Sequence, residues 1–133
     1  MGRYRRRLAL VTAVWVLGFG IGAATHLFEL ITAGMGVYAD APEPVRWFWV
    51  ALTVVDPVIV VLLLVRRRAG VLSGVTTMVA DVLVNWSAAF AHPALAGPGL
   101  VTQPAFLLFL LLTARPLWRS AGATRPRRRH PDG

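Results

Sequence analysis

Four apolar runs, each long enough to cross a lipid bilayer, constrain this chain more than any other feature. They extend from about Leu8 to Thr32, Val45 to Val65, Ala69 to Ala91 and Leu100 to Leu117. Bilayer hydrocarbon is roughly 30 Å thick and a helix rises about 1.5 Å per residue, so about 20 residues suffice to span it. No water reaches backbone amides there, so each segment must satisfy its own hydrogen bonds, which selects helices. The expected fold is all-α, a polytopic membrane protein built as a four-transmembrane-helix bundle. With 133 residues, only 15% of them charged, and a mean hydropathy of +0.62, the chain has room for one domain and too little charge to cover a soluble surface.

The connections follow from Gly, Pro and Arg. Gly34, Gly36, Pro42 and Pro44 punctuate the first loop, and Pro93, Gly97, Pro98 and Gly99 the last. Only Arg66-Arg67-Arg68 separates the second run from the third, which makes those two helices antiparallel neighbours. The domain organisation expected is a basic N-terminus (1–7), a transmembrane domain (8–118) and an Arg-rich, disordered tail (119–133).

There is no Lys; all 14 basic residues are Arg, clustered at the ends of the apolar runs. Thirteen fall on one side and only Arg46 on the other, so by the positive-inside rule both termini are expected in the cytoplasm. The formal charge of +8 is thus a topology signal, and no nucleic-acid partner is expected. The Arg-only, Ala/Val/Leu-rich usage suggests a high-GC bacterial source, and the inner (plasma) membrane is the expected location. The first run has the basic start of a signal peptide, but its apolar stretch exceeds the usual length and is expected to be a retained helix. No Cys is present, which excludes disulfides, thiol catalysis and thiolate metal sites. Neither a metal nor a cofactor is expected.

Three of the six acids, Glu29, Asp56 and Asp81, lie inside the spans. An ionised acid near mid-bilayer costs about 2.5–3.5 kcal/mol on the insertion scale. These three should therefore face the protein interior, find a partner or carry a proton. At about 100° per residue, Gly18, Gly22, Thr25, His26 and Glu29 project within about 60° of one direction on the first helix. Gly70, Gly74, Thr77, Asp81 and Asn85 form a similar stripe on the third. Each stripe starts with a small-xxx-small packing motif and ends in polar groups. If the two stripes meet, they pack tightly below and open into a polar pocket above. Gly18/Gly22 and Gly70/Gly74 are alternatively candidate seams for a homo-oligomer.

By helix rise, Asp56 lies roughly 15 Å from the level of Arg46 and Asp81 roughly 20 Å from that of Arg68, near mid-membrane. Pro57 cannot donate to the Thr53 carbonyl, which frees an acceptor beside Asp56. Trp47, Trp49, Trp86 and Trp118 sit near helix ends as interfacial belt residues. Trp86, His92 and Gln103 are also placed to line the mouth of such a pocket. The candidates are Glu29 and Asp56 as acid or base with His26 as partner, and Thr25, Trp49, Asp81, Asn85 and Trp86 as ligand-binding groups.

The string His26-Leu27-Phe28-Glu29, followed by Tyr38 before an outer loop, resembles the His/Glu-bearing helix of the emopamil-binding-protein-like (EXPERA) family. Phe48-Trp49 leading to Asp56-Pro57 resembles its second conserved helix, and Met78 to Leu83 is similar to its Gly-Asp-containing third. The likeness spans Ala24 to Ala89. That family includes sterol isomerases and amine-binding membrane proteins whose acids and His line an intramembrane sterol pocket. The resemblance implies that His26, Glu29 and Asp56 hold or protonate a lipid-like substrate, with Asp81 supporting them. It ends at the last helix, where the family's isomerases carry an Asn and a Trp and this chain has the aliphatic stretch Leu107 to Thr113.

The function expected is an acid-lined intramembrane pocket for a hydrophobic ligand, cationic or isoprenoid/sterol-like, with membrane lipid around it. Proton-transfer chemistry such as isomerisation or cyclisation would suit those groups. A proton-coupled transporter or oligomeric exporter, and a non-catalytic scaffold or accessory subunit, are the alternatives.

Overall fold

The computed structural model describes residues 2–122 and is all-helical over them. Helix α1 spans Gly2–Ala33, α2 Glu43–Val65, α3 Arg67–Ala91 and α4 Gly99–Ser120, with single 3-10 turns at Gly34–Gly36 and Pro93–Leu95. All four are long and apolar enough to cross a membrane, and the chain is a multi-pass membrane protein. The tail from residue 123 onward, expected to be disordered, lies outside the described residues.

Chemistry at the helix ends explains their limits. Helix α1 starts at Gly2 rather than near Leu8, because Arg3 to Arg7 are good helix formers and nothing between them and the apolar run breaks the helix. At 32 residues it is about 48 Å long, so its basic first turns extend beyond the hydrocarbon. It stops at Gly34, whose φ of 61° is a left-handed conformation open to glycine. Helix α2 begins behind Pro42, with Glu43 and Pro44 in its first turn, where proline's missing N–H costs no helical hydrogen bond and a carboxylate suits the helix N-terminus. A single residue, Arg66, separates α2 from α3, and the two run antiparallel as expected.

Around the bundle the order is α1, α2, α3, α4, with α1 closing back weakly on α4. Helices α1 and α3 are therefore diagonal, with no close backbone approach. The condition that the α1 and α3 stripes meet is thus not fulfilled at the backbone level. The glycines of α1 meet α4 and α2 instead: Gly18 lies under the Phe106 ring and Gly22 against the Asp56 carboxyl. On α3, Gly70 meets the backbone of Leu63, while Gly74 receives Phe19 and Trp15 across the bundle axis. All four proposed seam glycines face neighbours within the same chain.

The tightest packing lies in the half of the bundle nearer the Arg66 turn. Trp15, Phe19, Ile59, Leu63, Leu110 and Leu117 are fully buried there. Trp15 Nε1 donates to Thr113 Oγ1 at 2.9 Å, and that hydroxyl donates to the Phe109 carbonyl at 2.7 Å. Phe106 meets Phe19 edge-on with centroids 5.6 Å apart. Helices gain no hydrophobic free energy against each other in lipid, so such close contacts and interhelical hydrogen bonds hold the bundle. Above Phe106, α1 and α4 diverge.

Candidate functional site

The divergence of α1 and α4 leaves a cleft of about 640 Å³ in the half of the bundle that carries the long loops. Gly18 and Phe106 form its floor. Ile21 and Thr25 on α1 and Thr102 on α4 flank it, all three exposed on the lipid-facing side. Its inner wall is polar, made by His26, Glu29, Tyr38, Trp49, Asn85 and Gln103. From Gly18 to Glu29 the helix rise gives a depth of about 16 Å.

Tyr38 organises the upper wall. Its hydroxyl donates to Glu29 Oε2, and His26 Nδ1 lies 3.0 Å from the same hydroxyl. The phenol has one proton, which goes to Glu29, so His26 Nδ1 is the donor in its own contact. His26 Nδ1 and Glu29 Oε2 are 3.7 Å apart, an i,i+3 pair on one helix face. Burial, followed by the hydrogen bond and charge of Glu29, pushes the Tyr38 phenol above its ordinary value of 10.0 and keeps it protonated. Tyr38 has a φ of 60°, a conformation that costs a bulky residue about 1–3 kcal/mol. The two hydrogen bonds and an edge-on contact with Trp49, centroids 5.0 Å apart, hold it there.

The wall continues through Asn85. Trp49 Nε1 donates to Asn85 Oδ1 at 2.9 Å. The Asn85 amide donates to Asp81 Oδ1 at 3.1 Å and to Gln103 Oε1. One asparagine on α3 thus ties α2 and α4 together, and ring contact through Tyr38 joins this group to the His26–Glu29 pair. All four helices and the first loop contribute.

Of the eight residues singled out from the sequence, the structure brings Thr25, His26, Glu29, Trp49 and Asn85 to the cleft. Asp81 is 5% exposed and stands one residue behind the wall, bonded to Asn85. Asp56, 6% exposed, is also behind it: its Oδ2 occupies the space beside Gly22, 2.5 Å from where a Cβ would sit. Asp56 makes no hydrogen bond among the described residues, and the nearby Thr53 hydroxyl is buried without a partner. Trp86 departs from the expected pocket: it is exposed and packs on Phe90 outside the cleft. His92 is exposed and also outside it, whereas Gln103 lines it as expected.

Sequence reasoning missed the hydrogen-bonding role of Tyr38 and the Trp15–Thr113 staple below the floor. Nothing in the sequence marks a tyrosine in a left-handed turn, and Thr113 sits in an otherwise aliphatic stretch. Among the described residues no three His, Asp or Glu side chains gather as a metal site. No protein family matches the chain, and neither does any curated protein or solved structure.

Proposed function

We propose that the cleft between α1 and α4 binds a hydrophobic molecule with a polar or cationic head, which enters sideways from the bilayer. The single observation behind this reading is a cavity of about 640 Å³ that opens toward lipid, with Ile21 and Phe106 as its apolar surface and a carboxyl, an imidazole and a phenol on its inner wall. An apolar space with a few converging polar groups is what a ligand site requires. The head would lie against Glu29, whose carboxylate is 40% exposed, and the body against Ile21 and Phe106. Trp49, which lines the same wall beyond Tyr38, would supply an aromatic ring to a cation.

Proton-transfer chemistry fits the same wall. Glu29, polarised by the Tyr38 hydroxyl and adjoining His26, would give a proton to an alkene or take one from a carbocation-like centre. Asp81 and Asn85 would fix Trp49 and Gln103 in place. The residues behind the EXPERA-like resemblance, His26, Glu29, Tyr38, Trp49 and Asp56, lie in or beside this wall, which favours an isoprenoid or sterol-like body for the ligand. With the Arg-rich side taken as cytoplasmic, as the positive-inside rule has it, both termini would be cytoplasmic and the cleft would open in the outer half of the membrane. A transport route would have to pass the fully buried Trp15, Phe19 and Leu63 below the floor, so a one-sided pocket is the simpler reading.

The test uses two photoreactive probes with the same twelve-carbon chain, one ending in a dimethylammonium and one in a hydroxyl, in lipid nanodiscs. Wild type should be labelled by the amine in preference to the alcohol. Glu29→Gln should lower amine labelling about tenfold, the effect of one partly buried charge pair, and leave alcohol labelling unchanged. Equal amine labelling of both proteins would show that no head group meets Glu29.

A further inference from the structure

At the opposite end of the bundle, a second cleft of about 520 Å³ separates the α2–α3 turn from the end of α4. Arg66, Arg67 and Arg68 line it together with Ser120 and Ala121. Three consecutive guanidiniums repel one another, yet among the described residues no acid lies within ion-pair distance of any of them. Two of the three are positioned by neighbours that leave their charge uncompensated. Arg67, half-buried, reaches Ser120 Oγ at 3.5 Å, and Arg68 lies over the Trp118 ring, 5.5 Å from its centroid. The start of α3 adds to the same field. Arg66 caps it without a side-chain hydrogen bond, no acid lies in its first turn, and its leading amides face this end.

The remaining wall is apolar. Leu64 and Val65 border the same cleft and are 65% and 69% exposed, at the level where the apolar run gives way to the arginines. A free anion would use the arginines and leave these two side chains idle. A ligand that joins an anionic phosphate to hydrocarbon would use both. We infer that this cleft is a binding site for an anionic glycerophospholipid, with Arg66, Arg67 and Arg68 on the phosphate and the acyl chains along Leu64 and Val65. Guanidinium forks suit phosphate oxygens through paired, charge-assisted hydrogen bonds. A zwitterionic headgroup, whose ammonium the arginines repel, should be excluded.

The full chain, placed in nanodiscs of equal parts phosphatidylglycerol and phosphatidylcholine with identical acyl chains, is released into native mass spectrometry. Wild type should retain phosphatidylglycerol over phosphatidylcholine, and each arginine removed should cut that preference about fivefold. The triple variant Arg66→Gln/Arg67→Gln/Arg68→Gln should fall to parity. Arg3→Gln/Arg5→Gln/Arg6→Gln removes the same charge elsewhere and should keep the preference. If the triple variant fails to insert, Arg66→Gln/Arg68→Gln, which alters two exposed side chains, should lose most of the preference by the same rule. Equal losses in the two triple variants would reduce the effect to diffuse attraction and overturn the site. So would the absence of any preference in wild type. In a separate arm in neutral detergent, phosphatidylglycerol should raise the unfolding temperature and inorganic phosphate should not. Equal protection by the two would assign the cleft to a free anion instead.

Discussion

Replacing Asn85 by Leu should cost about 2 kcal/mol of stability. The amide accepts from Trp49 and donates to Asp81 and Gln103, so one substitution removes three interactions between α3 and its surroundings or within its wall. Hydrogen bonds between transmembrane helices average about 0.6 kcal/mol and reach about 1.7, which gives about 1.2 for the two that leave α3, about 2 with the Asn85–Asp81 bond inside α3 counted on the same scale, and about 5 as a ceiling. Water can reach the freed Trp49 and Gln103 groups through the open cleft, which keeps the loss near the lower value, while the buried Asp81 carboxyl adds to it. Leucine is close to asparagine in size and more favourable in hydrocarbon, so neither steric strain nor poorer insertion would account for a loss. The control is Trp86→Leu on the next residue, which is exposed and takes no part in the network; it should stay within about 0.5 kcal/mol of wild type. Reversible unfolding in mixed micelles with rising SDS, followed by circular dichroism, measures both. A loss below about 0.5 kcal/mol for Asn85→Leu, or the same loss in the two variants, would refute the network as a structural element.

Two other outcomes follow from packing and charge. A Cβ on Gly70 would lie 2.5 Å from the Leu63 backbone nitrogen, so Gly70→Ala should force α2 and α3 apart. That overpacking costs about 1–3 kcal/mol and should exceed the helix-propensity gain of about 1; Gly20→Ala, with nothing within 4 Å, should keep the gain in the same unfolding assay. Tyr38 governs the alkaline limit. Its phenol is raised above the ordinary value, so the folded state holds a proton that the unfolded state releases first. Its contribution to stability is complete below about pH 10 and is lost as pH rises through the folded value. In a Tyr4→Phe background, phenolate absorbance should therefore appear only above about pH 10 in the folded protein, and Tyr38→Phe should remove this part of the alkaline decline.

The helices were legible because hydrocarbon thickness imposes a length that the apolar runs meet, and because a one-residue link leaves α2 and α3 no alternative to antiparallel pairing. Helical periodicity also placed His26, Glu29, Asp81 and Asn85 on inward faces, whereas Thr25 of the same stripe stands exposed at the lipid-facing flank of the cleft. Periodicity could not say which helix each face would meet. The α1 stripe turned to α2 and α4 because Asp56 and Phe106 fit against Gly22 and Gly18, a matter of shape that periodicity does not encode. Depth was a poor guide to access. Asp56 and Asp81 lie near the middle of α2 and α3 but stand behind the wall, while Glu29, near the end of α1, faces the cleft. Trp86 was misplaced because its position near a helix end is shared by belt residues and mouth residues alike. Tyr38 needed the fold itself, since only the turned loop brings its hydroxyl to Glu29 and His26.

The central claim is that a hydrophobic ligand lies between α1 and α4, and mapping the amine photoprobe's adducts by peptide mass spectrometry tests it most directly. Adducts should concentrate on α1 between residues 18 and 29 and on α4 between residues 99 and 106, the two walls of the cleft. Thr25→Phe/Thr102→Phe, which fills the lipid-facing opening from both sides, should remove them while helix content stays unchanged. Adducts scattered over outward apolar positions such as Leu64, Leu83 and Leu112, or unaffected by the double substitution, would contradict the account.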